Sequence, residues 1–198
     1  MTPPPQLPSV LVIVGPSGVG KGTLVDKLLE GNGDKYGFSC SHTTRKPREG
    51  EQDGVHYHFT SKEDFERGIE EGKFIEYAHV HNNIYGTSFD AVKAVQQSGK
   101  CCILDIDVQG ARQVRASDLS AIVVFIAPPS LEELEKRLRG RGTESEEQIQ
   151  VRSTQAKVEM DSLQEKGLYD AVIVNDAVDD CFEKLKDIAE IALNGGHQ

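Results

Sequence analysis

VLVIVGPSGVGKGTL, residues 10–24, carries the strongest structural signal in this chain of 198 residues. Its first five residues form a continuous apolar run, which is typical of a strand buried on both faces. The next seven match G-x-x-x-x-G-K, and the leucines that follow have helical spacing, which predicts a helix over Thr23–Glu30. In such a strand–loop–helix unit the backbone N–H groups wrap phosphate oxygens, and Lys21 reaches the β- and γ-phosphates of a nucleotide.

Apolar strands and helical patterns alternate along most of the chain. We predict further buried strands at Cys101–Leu104, Ala121–Ala127 and Ala171–Val174, and a closing helix at Asp179–Leu193. Capping boxes at Ser130–Glu133 and Thr143–Glu146 indicate two more helix starts. The sequence therefore predicts an α/β fold with a parallel P-loop sheet and helices on both of its faces.

One stretch, from Phe38 to Tyr85, departs from this alternation. Its strand candidates, FSCSH, HYHFT and FIEYAHV, are short and half-polar, and a helix begins near Ser61 between the last two. These features predict a small antiparallel or mixed insertion in the parallel core.

Composition and charge exclude several classes of protein. The hydrophobic fraction of 37% is enough for a packed core, and the formal net charge of −10 disfavours non-specific binding of nucleic acid. The longest apolar runs fall far short of the roughly 20 residues that a membrane helix needs. The four cysteines form no C-x-x-C pair, and the start of the chain, MTPPPQLPS, does not resemble a signal peptide. We therefore expect a short flexible tail, a cytoplasmic location, and no nucleic-acid or membrane partner.

Two carboxylates follow the apolar run that ends at Leu104. Asp105 has the position of a Walker B aspartate, at the carboxyl end of a predicted strand, where ligands bind in open α/β sheets. Asp107 shares its face if the strand continues that far. Asp105 is therefore a candidate to hold Mg²⁺ through water.

Two groups of arginines stand out in this acidic chain. One is Arg45-Lys46-Pro47-Arg48, and the other comprises Arg137, Arg139 and Arg141, with Arg152 further on. Guanidinium groups clamp phosphate oxygens and offset the charge that develops during phosphoryl transfer. Two separate groups indicate two phosphates held from different sides. Taken singly, Ser41, Glu76, Tyr57 and Tyr85 are more typical of ordinary structural residues.

The motifs together resemble the guanylate kinase family. The resemblance rests on GPSGVGKGTL and SHTTRKPREGEQDGVHYHF, then FIEYA, IYGTS, CILDIDVQG, FIAPPS, LRGRGTESEE and VIVND, and it runs from about Val10 to the last helix. It implies transfer of the γ-phosphoryl of ATP to GMP, and also to dGMP, with Mg²⁺, in purine nucleotide metabolism. One local departure is Gly22, where many members have serine.

The resemblance also implies roles for individual residues. GMP contacts are implied for Ser41, Arg45, Arg48, Tyr57, Glu76, Tyr85, Gly86, Thr87 and Asp107. Within that set, Arg45, Arg48, Tyr57 and Tyr85 are expected to hold the phosphate, and Ser41, Glu76 and Asp107 to read the base. ATP contacts are implied for Gly15, Pro16, Ser17, Gly18, Val19, Gly20, Lys21, Gly22, Thr23 and Asn175. The residues expected to act on the transferred phosphoryl group are Lys21, Arg45, Arg48, Arg137, Arg141 and Arg152.

The implied organisation has three parts and a tail, in a chain we expect to be a monomer. Residues 1–9 are the tail; residues 10–38, 97–136 and 158–198 the core; residues 39–96 a GMP-binding insertion; and residues 137–157 a helical lid. Two alternatives to a guanylate kinase remain open here. One is a non-catalytic module of the same fold that binds a protein, and the other is a kinase for a different nucleoside monophosphate.

Overall fold

A computed structural model describes residues 7–80, 82–140, 142 and 145–195. The strands are β1 (Val10–Val14), β2 (Tyr36–Phe38), β3 (His42–Thr43), β4 (His58–Phe59), β5 (Phe74–Val80), β6 (Asn83–Ser88), β7 (Cys101–Asp105), β8 (Ala121–Ala127) and β9 (Ala171–Val174). The helices are α1 (Lys21–Leu29), α2 (Lys62–Glu70), α3 (Phe89–Gln97), α4 (Val108–Ala116), α5 (Leu131–Gly140), α6 (Glu146–Asp161) and α7 (Val178–Leu193), with a short 3₁₀ helix at Ser162–Gln164. No helix in this part of the chain is both long and apolar enough to cross a membrane.

The larger sheet has five parallel strands in the order β2-β7-β1-β8-β9. Because the strands are parallel, their carboxyl ends all lie along one edge. Asp105, the last residue of β7, therefore lies at the same edge as Ser41 after β2, the phosphate loop after β1 and Asn175 after β9.

Side chains alternate along β1 and build a core on each face of this sheet. Leu11 and Ile13 pack with leucines of α1, α5 and α7, whereas Val10, Val12 and Val14 pack with α3 and α4. All five β1 residues are fully buried. The predicted α/β class, with a parallel sheet covered on both faces, is confirmed.

The smaller sheet has four strands in the order β4-β3-β6-β5. β3 is parallel to β4 and antiparallel to β6, and β5 and β6 form an antiparallel pair, so the sheet is mixed. α2 begins after Ser61, whose hydroxyl accepts a hydrogen bond from the N–H of Asp64, as the sequence indicated. Phe65 of α2 stacks on Phe74 with a ring separation of 4.2 Å, which ties the helix to β5.

Several details differ from the sequence-based expectations. The helix predicted from a box at Thr143 begins instead after Ser145, which forms a reciprocal capping box with Gln148; Thr143 itself lies outside the described residues. Pro8 and Ser9, which the sequence analysis assigned to the flexible tail, bond to the core: the carbonyl of Pro8 accepts from Gln96, and the N–H of Ser9 donates to the carbonyl of Ala192. The strand predicted at FSCSH is divided, since Phe38 belongs to the larger sheet and His42 to the smaller one.

Candidate active site

The phosphate loop follows β1 and opens α1, as the motif predicts. Two of its glycines are required by close contacts as well as by backbone angle. A Cβ at Gly15, where φ is 145°, would lie 2.3 Å from the carbonyl oxygen of Ile126. A Cβ at Gly20, where φ is 104°, would lie 2.7 Å from Nδ2 of Asn175. The loop therefore fits closely against β8 and the segment after β9.

Lys21 is the central cation of this loop. Its ammonium donates to the carbonyl oxygens of Gly15 at 2.6 Å and Pro16 at 3.3 Å, and it lies 3.8 Å from Oδ1 of Asp105. Burial raises the pKa of Asp105, and the positive charge of Lys21 opposes that rise. A cavity of about 340 Å³ opens beside them, lined by Ser17, Gly18, Gly20, Lys21, Gly22, Thr23, Asp26 and Asp105. No atom lies within 4 Å of a Cβ built at Gly22, so packing does not demand glycine there.

Asn175, predicted to lie near the ATP adenine, is 1% exposed and supports the loop. Its Nδ2 donates to the carbonyl of Val19 at 2.8 Å, and its own N–H donates to Ala127. Its main-chain carbonyl accepts from Nη1 of Arg137 at 2.9 Å. The structure thus gives Asn175 a positioning role beneath the loop, and its contact with adenine stays a prediction.

The arginines assigned to the transferred group occupy different positions. Arg152 of α6 donates to the hydroxyl of Ser17, which places it directly on the phosphate loop. Arg137 of α5 lies behind the loop, bonded to Asn175 and to the carboxylate of Glu133. Arg141 lies outside the described residues.

Glu76 of β5 is a buried carboxylate, 7% exposed, and its Oε2 would lie 3.2 Å from a Cβ built at Gly110 of α4. It accepts hydrogen bonds from both the hydroxyl and the backbone N–H of Thr87, its neighbour across β5 and β6. Burial raises the pKa of Glu76, the nearby charge of Asp107 raises it further, and the Thr87 bonds oppose the rise. Gly86 of β6 allows that strand to lie close to β5, because a Cβ at this position would lie 2.6 Å from the carbonyl oxygen of Glu76.

Asp107 does not continue the strand that carries Asp105, so the shared face considered in the sequence analysis does not form. β7 ends at Asp105, and the carboxylate of Asp107 caps α4 by accepting from the N–H of Gly110 at 2.8 Å. The charge of Asp107 is nevertheless close enough to Glu76 to raise the pKa of that residue. A second cavity, of about 190 Å³, opens nearby and is lined by Phe38, Ser39, Ser41, His56, Tyr57, Thr87, Leu104, Asp105 and Ile106.

Arg45 is held in place before any ligand binds. Its Nη1 and Nη2 donate to the two carboxylate oxygens of Glu51, each at 2.9 Å, and Glu51 also accepts from the N–H of Arg48 at 2.7 Å. These bonds lower the pKa of Glu51 to about 2. The guanidinium also lies 5.4 Å from the ring of Tyr57 and hydrogen-bonds Tyr85. Three of the predicted phosphate ligands are thus in mutual contact, and Arg48 joins them through its backbone.

Replacing Glu51 with glutamine is expected to raise KM for GMP about tenfold with a smaller change in kcat. An amide cannot accept both guanidinium bonds and the Arg48 N–H, so Arg45 loses its fixed orientation, and misplaced binding groups cost affinity. Steady-state kinetics at saturating ATP measure this, with exposed Glu49→Gln as the neighbouring control. An unchanged KM would show that Arg45 orients without Glu51.

Two acidic residues of this region received no role from sequence reasoning. Glu51 ends the quoted stretch TTRKPREGE, so its place in the motif was the available signal. Glu159, in the last turn of α6, has no such signal, because a glutamate in a largely polar helix is usually solvated. Only the fold shows that Glu159 is half-buried beside Lys21 and Asp107.

These features define a P-loop nucleotide-binding protein. They are the phosphate loop, the paired lysine and aspartate at the carboxyl edge of a parallel sheet, and the group of arginines nearby. Comparison with known proteins is more specific. The guanylate kinase family model matches residues 8–192. The chain therefore belongs to the guanylate kinase family.

The individual relatives agree with this assignment. The chain is 59% identical over 188 residues to guanylate kinase 1 of Oryza sativa subsp. japonica, covering 95% of this chain and 49% of that one. It is 51% identical to the guanylate kinase of Schizosaccharomyces pombe, covering 90% and 88% respectively. It thus spans about half the length of the rice relative and nearly all of the yeast one.

Solved structures show the same fold. A crystal structure of guanylate kinase from Anaplasma phagocytophilum superposes with a TM-score of 0.66 at 30% identity, covering 93% of this chain and 86% of that one. A kinase-containing fragment of tight junction protein 3 superposes with a TM-score of 0.56 at 14% identity, and that likeness concerns the fold alone.

Proposed function

We propose that the chain transfers the γ-phosphoryl group of ATP to GMP, giving ADP and GDP. The observation that carries this proposal is that Asp105 lines two cavities at once. One cavity is lined by the phosphate loop and Lys21. The other is lined by Tyr57, which contacts Arg45, and by Thr87, which hydrogen-bonds Glu76. Two nucleotides bound there would meet at their phosphates, as an in-line transfer requires.

The chemistry of the second pocket favours guanine over adenine. Guanine offers N1–H and N2–H₂ as adjacent donors beside the O6 acceptor. The carboxylate of Glu76 can accept from those donors, and the hydroxyl of Ser41 can donate to O6. Adenine presents a different pattern at that edge and would leave the buried Glu76 without a partner. Sites built on buried polar pairs discriminate by roughly 10⁴-fold between such ligands.

The phosphate of GMP would be bound by Arg45, Arg48, Tyr57 and Tyr85. Arg45 is already fixed by Glu51, so the phosphate meets an oriented cation. On the donor side, Lys21 would leave the carbonyl of Gly15 for the phosphates of ATP, and Arg152 lies on the same loop. These cations offset the charge that develops on the transferred group.

The reaction would use Mg²⁺ that arrives with ATP. Among the described residues, no group of three or more His, Cys, Asp or Glu side chains could hold a metal ion by itself. Mg²⁺ is commonly held by one or two carboxylates, waters and substrate phosphates, and Asp105, beside the loop, fits this pattern. When bound, the ion would neutralise phosphate charge; Asp105 would hold it through water.

We also propose the domain roles that the family resemblance implies. Residues 39–96 would act as the GMP-binding insertion, residues 137–157 as the lid, and the remainder as the core. Closure of the two smaller parts would exclude water that otherwise hydrolyses ATP.

We further propose a monomer in the cytoplasm that serves purine nucleotide metabolism. The four free cysteines support a reducing compartment.

The experiment is a substrate panel. Purified protein receives ATP and Mg²⁺ with GMP, AMP, CMP or UMP, and ADP formation is followed. We expect kcat/KM for GMP to exceed that for AMP by about 10⁴-fold. A preference for AMP would overturn the role of Glu76. ATP binding measured by calorimetry tests the other alternative, since a protein-binding module without catalysis need not bind ATP.

A further inference from the structure

Glu159 has a buried carboxylate oxygen with no hydrogen-bond partner among the described residues. That atom is Oε2, and the other oxygen, Oε1, accepts from Nε2 of Gln155 at 3.4 Å. Burial raises the pKa of Glu159. A buried acceptor without a donor costs free energy, so a residue of this kind needs an explanation. One explanation is a donor that arrives with a ligand.

The charged residues around Glu159 indicate which chemical group of a bound ligand would contact it. Glu159 is within electrostatic range of both Lys21 and Asp107, and Asp107 in turn acts on Glu76. Asp107 is also close to Glu76 in the fold, because it accepts from the N–H of Gly110 at 2.8 Å and a Cβ built at Gly110 would lie 3.2 Å from Oε2 of Glu76. Asp107 and Glu159 line one small cavity of about 70 Å³, together with Val108, Gln109, Arg112, Gln155 and Val158.

A nucleoside monophosphate has the same linear order. Under the proposed function its base lies at Glu76 and its phosphate faces Lys21, so its ribose lies between them. We assign Glu159 to that region because it shares a cavity with Asp107 and is within electrostatic range of Lys21. A carboxylate in this place would repel the phosphate. The donors that a ribose offers are its 2′- and 3′-hydroxyl groups, which are neutral and suited to an unpaired carboxylate oxygen.

We propose that Glu159 accepts a hydrogen bond from a ribose hydroxyl of GMP and thereby favours the ribonucleotide over a deoxyribonucleotide. This inference rests on the proposed function. The proposed hydrogen bond would also couple the binding of the two substrates, because both Glu159 and Arg152 belong to α6. Arg152 contacts the phosphate loop through Ser17. A ribose hydroxyl bound at one end of the helix thus steadies the helix that bears Arg152.

The test compares GMP with 2′-deoxy-GMP and 3′-deoxy-GMP in the wild type and in Glu159→Ala. A hydrogen bond to a charged group is worth about tenfold or more in kcat/KM. We expect the wild type to prefer GMP over at least one deoxy analogue by about tenfold. In the variant, kcat/KM for GMP falls by about that factor while the value for that analogue changes by less than about twofold.

Control variants separate this role from a structural one. Glu159→Gln keeps the side-chain volume and one acceptor oxygen. We expect this variant to fold and to reduce the preference for GMP over the deoxy analogue less than Glu159→Ala does. Glu183→Gln, on the exposed face of α7, should leave all three values unchanged. Thermal unfolding checks each variant, and neither Glu159 change should lower Tm greatly, since the lost carboxylate has an unpaired oxygen.

The outcomes distinguish the two levels of the argument. A wild type that does not turn over GMP overturns the proposed function and this inference together. If the wild type uses GMP but treats all three substrates equally, only the ribose assignment is overturned. The assignment is also overturned if the variant lowers kcat/KM for GMP and both analogues in the same proportion.

Discussion

Lys21→Ala is expected to lower kcat about 10³-fold. The ammonium of Lys21 lies 3.8 Å from Oδ1 of Asp105 and contacts loop carbonyls at 2.6 and 3.3 Å. In the transition state it would neutralise charge on the transferred group, a contribution that alanine cannot make. The measurement is single-turnover transfer from ATP to GMP at saturating concentrations of both.

A second lysine of α1 provides the matched control. Lys27 pairs with Asp179 at the surface, remote from the loop, so Lys27→Ala should retain nearly full kcat. Because Lys21 also bonds the carbonyls of Gly15 and Pro16, thermal unfolding of Lys21→Ala must be recorded beside its kinetics. Near-normal turnover in a folded Lys21→Ala protein would show that the phosphate loop has been misassigned.

Glu76→Gln is expected to reduce kcat/KM for GMP about 10³-fold, with a much smaller effect on AMP. The buried carboxylate can accept from both N1–H and N2–H₂ of guanine, whereas the amide offers one acceptor and directs its own N–H₂ at a donor. The ratio of GMP to AMP turnover measures the change. Exposed Glu70→Gln in α2 is the control, and an unaltered ratio in Glu76→Gln would contradict base recognition by this residue.

The pH profile provides an independent readout of Glu76. Burial raises its pKa, so the side chain takes up a proton at a higher pH than a free glutamate, whose pKa is about 4.3. A protonated carboxyl cannot accept both guanine donors. We therefore expect kcat/KM for GMP to fall on the acidic side with an apparent pKa above that value, and the limb assigned to Glu76 to be absent in Glu76→Gln.

Much of the larger sheet could be predicted from the sequence because its strands are buried on both faces. Continuous apolar runs such as Val10–Val14 and Ala121–Ala127 have few alternative structures, and their boundaries agree with the observed strands. The phosphate loop was also predictable from the sequence, since the backbone geometry that binds phosphate fixes both the spacing of its glycines and its place between a strand and a helix. Caps at Ser61 and Ser130 follow from local side-chain hydrogen bonds.

Other features depend on contacts distant in the chain and carry weak local signals. β2 is three residues with a central glycine, and it exists because Tyr36–Phe38 pairs with β7. The helices α3 and α4 were not predicted, and the cap of α6 is Ser145, two residues after the cap predicted at Thr143. The pairing of Arg45 with Glu51 and the burial of Glu159 depend on tertiary packing, which a sequence pattern does not specify.

The fixed orientation of Arg45 has a thermodynamic consequence. A free arginine side chain must lose several rotational freedoms when it captures a phosphate, and that entropy opposes binding. Here Glu51, Tyr57 and Tyr85 impose the restriction during folding. The acceptor nucleotide therefore encounters a rigid receptor for its phosphate, and the entropic cost of ordering that side chain belongs to the stability of the protein rather than to the affinity for its substrate.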